Sequence, residues 1–179
     1  QSGVHFGYHA VPQVASVQPA FGPVGGGTRV TVFGSDFTPS HTLKCAFGND
    51  TARAVAATFV SSVAILCTAP AAAADHVAVR VTVNGVNYSP GSVPHFKYVP
   101  AASVTALFPA IGAIAGGTLV AVTGAGFSNA STTGCRFGPN HHPVPATFVN
   151  SSSLVCRTGA SIRAATVPVE VTSNGYDFT

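Results

Sequence analysis

Gly26-Gly27-Thr28-Arg29-Val30-Thr31-Val32-Phe33-Gly34 returns ninety positions later as Gly116-Gly117-Thr118-Leu119-Val120-Ala121-Val122-Thr123-Gly124. In both copies a glycine turn precedes valines spaced two apart, the pattern of a half-buried strand. The same offset pairs Val14 with Val104, Pro19 with Pro109, Phe37 with Phe127, Cys45 with Cys135 and Phe47-Gly48 with Phe137-Gly138. A one-residue deletion moves the offset to 89, so that Thr58-Phe59-Val60 meets Thr147-Phe148-Val149 and Cys67 meets Cys156. By Val81 and Val171 the offset is again 90. A period this regular predicts two copies of one small domain.

The copies are out of phase with the chain. His95-Phe96-Lys97-Tyr98, which closes the first unit, has its counterpart ahead of that unit, at His5-Phe6-Gly7-Tyr8. The second unit stops at Thr179, the equivalent of Ser89, before any such segment. The expected division is therefore 1–11 as a displaced closing strand, 12–99 as the first domain, and 100–179 as a second domain lacking its final strand. A strand equivalent to 1–9 would complete it.

Composition narrows the class. Charged residues are 7% of the 179, against about 25% in ordinary soluble domains. The net charge of +3 is scattered, with no basic cluster for nucleic acid. No apolar run reaches the ~20 residues of a membrane span. Helical periodicity is absent, and Gly and Pro punctuate the chain at the spacing of short strands. Val77, Val79, Val81 and Val83 alternate with Ala78, Arg80 and Thr82, and Val167, Val169 and Val171 are expected to point inward in the same way. Pro168, with no N–H, is expected at a sheet edge or the end of a ladder.

Val17-Gln18-Pro19-Ala20-Phe21-Gly22-Pro23 followed by Gly25-Gly26-Gly27-Thr28 resembles the opening of an IPT/TIG domain. Gly34-Ser35-Asp36-Phe37, Cys45-Ala46-Phe47-Gly48 and Ile65-Leu66-Cys67-Thr68-Ala69-Pro70 continue the resemblance, and the second copy repeats most of it. It departs at Thr158-Gly159, where the first copy has Ala69-Pro70. The resemblance implies an all-β fold of two tandem immunoglobulin-like β-sandwiches of the seven-stranded type. It also implies cell-surface receptors, Rel-type transcription factors and modules beside carbohydrate enzymes, so the fold alone does not assign a function.

Within such a sandwich, Cys45 with Cys67 and Cys135 with Cys156 are expected to form one disulfide per repeat across adjacent strands. Zinc would want close cysteine pairs, which are absent. Two disulfides point to an extracellular or cell-surface location and away from the transcription factors. Four sequons, at Asn49, Asn87, Asn129 and Asn150, are expected to carry N-linked glycans, with Asn87 disfavoured by Pro90 after its Ser89. An enzyme is not expected. Five carboxylates, at Asp36, Asp50, Asp75, Glu170 and Asp177, offer no triad or glycosidase pair, and Asp36 reads as a turn residue. His141-His142 lacks nearby metal-ligating partners, and no cofactor is expected.

Two functions follow. The first is a structural subunit of an extracellular glycosylated filament or cell-surface array, a homopolymer joined head to tail by strand complementation or by covalent tandem repetition. His5, Phe6 and Tyr8 then form the assembly strand, with Phe6 and Tyr8 entering the acceptor's core. The alternative is an adhesive or receptor-type module that binds a protein or glycan. Neither involves nucleic acid or a membrane span.

Overall fold

A computed structural model describes residues 3–90, 94–139 and 141–179. Gln1 and Ser2 of the expected assembly strand lie outside the described residues. Contacts divide the chain into two compact units, one built on 1–20, 29–70 and 76–97, the other on 21–28, 71–75 and 98–179. The repeats are described in turn.

Among the described residues the first repeat carries eight strands: β1 (Gln13–Gln18), β2 (Phe21–Pro23), β3 (Arg29–Ser35), β4 (Lys44–Phe47), β5 (Val55–Ser61), β6 (Ala64–Thr68), β7 (His76–Thr82) and β8 (His95–Val99). Their order is β1-β3-β6-β5-β4-β7-β8-β2. Val55 and Ala56 pair with β4 and the rest of β5 with β6, so the sheet turns over at β5 into two layers. The alternating valines are the reason the layers close. Val30, Val32, Val79 and Val81 are fully buried between them, with Phe37, Ile65, Phe96 and Tyr98. Fully burying one such side chain contributes about 1.5–3 kcal/mol.

The disulfide Cys45–Cys67 crosses this core, joining β4 to β6. These strands are not adjacent, which corrects the expectation. β5 lies between them, and its passage from one layer to the other lets its two neighbours face each other.

The second repeat carries six strands among the described residues: β9 (Ser103–Phe108), β10 (Leu119–Ala125), β11 (Gly134–Phe137), β12 (Val144–Asn150), β13 (Ser153–Arg157) and β14 (Val169–Thr172). Their order, β14-β11-β12-β13-β10-β9, matches β7-β4-β5-β6-β3-β1. Even the bulges correspond: β1 passes from Val14 to Ser16 opposite consecutive residues Gly34 and Phe33 of β3, and β9 from Val104 to Ala106 opposite Gly124 and Thr123 of β10. Cys135–Cys156 joins β11 to β13 in the same way. The seven-strand expectation therefore gives way to eight and six, and the difference between the repeats lies at one sheet edge.

Candidate functional site: an open slot in the second repeat

In the first repeat β8 fills a groove between β7 and β2. It pairs antiparallel with β7, His76 opposite Lys97, Val77 opposite Phe96 and Ala78 opposite His95. The Val79 N–H donates to the Pro94 carbonyl (2.9 Å) and the Tyr98 N–H to the Asp75 carbonyl (2.8 Å). On its other edge the Lys97 N–H donates to the Ala20 carbonyl (2.9 Å), and the Val24 N–H to the Val99 carbonyl (2.9 Å). Phe96 and Tyr98 point into the core, and Phe96 meets Phe47 edge-on with ring centroids 5.5 Å apart, inside the roughly 4.5–7 Å range of favourable aromatic pairs. His95 faces outward, as its alternation with Phe96 requires.

In the second repeat the two segments that would flank such a strand are present but are not themselves strands where it would pair. Residues 111–113, the counterpart of β2, and 166–168, the counterpart of the first half of β7, have no strand structure. Neither is a defect of local propensity alone, because a strand edge without a neighbour has no ladder to hold it. Val167 is 42% exposed although its period-two partners Val169 and Val171 turn inward, which corrects the expectation for that residue. Ile111 is 87% exposed. Between these segments lies an open slot of about 420 Å³, lined by Leu107, Ile114, Phe137, Val144, Val167 and Val169 among others. His141 and His142 also line it, but among the described residues no group of three His, Cys, Asp or Glu is placed to hold a metal.

Pro168 sits just ahead of β14, at the end of its ladder. The Gly138 N–H donates to the Pro168 carbonyl (2.8 Å), as the Gly48 N–H does to Ala78 (2.8 Å). The missing N–H of Pro168 therefore falls on the β11 side. The opposite edge, which borders the slot, keeps the N–H groups of Val167 and Val169.

The sequence segment that resembles β8 is not in any strand. Residues 3–10 have no regular structure, and Val4, Phe6 and Tyr8 are 84%, 81% and 94% exposed. Phe6 and Tyr8 lie edge to face, 5.0 Å apart, with His5 also exposed. Three apolar side chains two residues apart are thus in water, in the alternation that a strand needs to bury one face.

All four sequon asparagines are exposed. Asn49 leads into a 3₁₀ turn at Thr51–Arg53, Asn129 lies in the loop after β10, and Asn150 ends β12 just ahead of the Ser151-Ser152 hairpin turn into β13. The Arg80 guanidinium donates to Asn49 Oδ1 (3.1 Å), and the Ser152 N–H to Asn150 Oδ1 (2.9 Å). Those bonds use the oxygen, not the nitrogen to which a sugar is joined. At Asn87 the sequon hydroxyl differs: Ser89 is buried, and its Oγ accepts from the Val81 N–H (3.1 Å).

These features define a tandem pair of disulfide-bonded β-sandwiches, the second of them open along one edge. The chain belongs to the IPT/TIG domain family, whose model matches residues 12–98 and 102–179. It is 30% identical over 171 residues to mouse Fibrocystin-L and 26% identical over 169 to the human protein, in each case over 94% of this chain. It spans only 4% of the length of either relative. The fold is similar to the extracellular region of plexin A4, with a TM-score of 0.56 and 22% identity over 84% of this chain and 13% of that one. Among the described residues no helix is long and apolar enough to cross a membrane.

Proposed function

We propose that this chain is a non-enzymatic, extracellular structural module joined end to end with like units into a glycosylated filament or surface array. One observation carries the reading. The second repeat leaves open the place that β8 fills in the first, while residues 3–9 carry the β8 pattern with its apolar face in water. An apolar slot bordered by unpaired backbone groups favours capture of an extended strand. Donor and acceptor belong to different parts of the repeat, so the contact is heterologous and propagates unless its rotation closes a ring. Strand capture from a separate copy and covalent continuation into a further unit satisfy the slot equally well.

Two disulfides support an extracellular location, since the cytosol keeps thiols reduced. N-linked sugar on the exposed asparagines would supply the solubility that 7% charged residues do not. The second reading, a receptor-type or adhesive module within a long chain, is favoured by the 94% match to a small part of Fibrocystin-L.

Deleting residues 1–9 tests the first reading. The full chain is expected to sediment as large assemblies that appear as fibres by electron microscopy, and the truncated chain as monomer. Intact fibres without residues 1–9 would contradict it, and a full chain that stays monomeric would remove strand capture between copies and leave covalent continuation.

A further inference from the structure

Strand capture alone does not fix a register, because a slip of two residues keeps the same side chains facing the core. The first repeat contains its own answer. We propose that the slot takes residues 3–9 of a second copy in one register only, with Phe6 opposite Val167 and its ring packed against Phe137. This rests on the assembly reading above and specifies the partner's fit.

The register transfers residue by residue from β8. Val77 opposite Phe96 becomes Val167 opposite Phe6, Ala78 opposite His95 becomes Pro168 opposite His5, and His76 opposite Lys97 becomes Thr166 opposite Gly7. Each backbone bond of β8 has its counterpart on the slot's walls. The Val169 N–H would donate to the Val4 carbonyl, and the Tyr8 N–H to the Ala165 carbonyl. Across the slot the Gly7 N–H would donate to the Ala110 carbonyl, and the Ile114 N–H to the His9 carbonyl. That far wall is already placed: the Ser161 N–H donates to the Ile114 carbonyl (2.8 Å), just as the Ala72 N–H does to Val24 (3.0 Å).

Side-chain size locks the choice. Phe137 stands where Phe47 does, and Phe47 packs on a phenylalanine at the Phe96 position. A slip one way offers Val4 to that place and leaves it underfilled. A slip the other way brings Tyr8 there and puts Ala10 where Tyr98 is buried in the first repeat, leaving that second place underfilled. Pro168 is compatible with the register because its lost N–H faces β11, not the incoming strand. Seating the donor also supplies the neighbour that residues 111–113 and 166–168 need to become strands.

Cysteine pairs in the full chain read the register directly. Residues opposite each other in a non-hydrogen-bonded antiparallel pair have Cα atoms about 4.5 Å apart, within disulfide reach. Diagonal partners are about 7–8 Å apart, beyond it. Under mild oxidation H5C/P168C is expected to give a ladder of covalent multimers, with H5C/T166C and H5C/E170C remaining single chains. A ladder in either of those two instead would overturn the register while leaving end-to-end assembly standing. Silence in all three, in a chain that still assembles, would remove the donor from the slot.

A synthetic peptide of residues 1–9 carrying H5C, added to P168C protein, separates this inference from the assembly reading. Cross-linking of the peptide to a chain that never polymerises would support the register and remove assembly by strand capture between copies. The same peptide with F6A is expected to bind about 30- to 100-fold more weakly, the loss of one buried phenylalanine. Equal binding by the F6A peptide would overturn the role given to Phe6.

Discussion

Gly34 has no room for a side chain. A Cβ there would collide with the Gln13 carbonyl oxygen and approach Phe37 Cζ to 2.8 Å, and Gly124 meets Ser103 and Phe127 in the same way. The Gly-x-x-Phe spacing seen twice in the sequence is thus a packing rule: the phenylalanine ring lies over the glycine. G34A is expected to destabilise the first repeat by about 1–3 kcal/mol, as overpacking does. Gly25 has open space around it, and G25A is expected to lie within about 1 kcal/mol of the parent. Denaturation midpoints of the two variants check this, and equal midpoints would refute the packing account. Asp36, read from sequence as a turn residue, adopts a left-handed φ of 61° where the second repeat has Gly126 at 74°. The sequons were legible as strings, but the difference among them was not. The Ser89 hydroxyl is committed to Val81, whereas Thr51, Ser131 and Ser152 are exposed. Glycopeptide mass spectrometry is expected to find Asn49, Asn129 and Asn150 occupied and Asn87 the least so. Bare asparagines at the first three would end the argument for a glycosylated array.

At the scale of the element, period-two alternation identified which face of each strand turns inward but not whether anything covers it. Val77 and Val167 read alike in sequence, yet Phe96 lies opposite Val77 whereas Val167 borders the open slot. The cysteine pairing was legible from its repetition. Its path was not, because passage of β5 between the layers depends on tertiary pairing at Val55 and Ala56. Each disulfide closes a loop of about twenty residues, with separations of 22 and 21. Its loss, as in C45A/C67A, is expected to cost about 3 kcal/mol in the chain-entropy view. A shift well under 1 kcal/mol in urea denaturation would show that the cross-link constrains little. Amide exchange tests the edge itself. Adding the peptide of residues 1–9 is expected to slow exchange at Val167 and Val169, while Val79, already bonded to Pro94, stays unchanged.

For the whole molecule, the phase of the repeat was the most informative thing in the sequence, because it separates a β8-like segment from the repeat that needs one. What fills the slot was not legible, since a strand from another copy and a strand from a further unit of the same chain share one pattern. The mass of the denatured, deglycosylated chain from native material distinguishes them: 17.9 kDa for separate subunits, and a much larger value for a covalent array. Both share the claim that a β8-like strand completes the second repeat. The most direct test is the position of Phe6 in a density map of the assembled material. The account predicts its ring against the Phe137 of an adjoining unit, with residues 3–9 paired along Val167 and Val169. Finding residues 3–9 still in solvent, or the slot closed by a different segment, would contradict it.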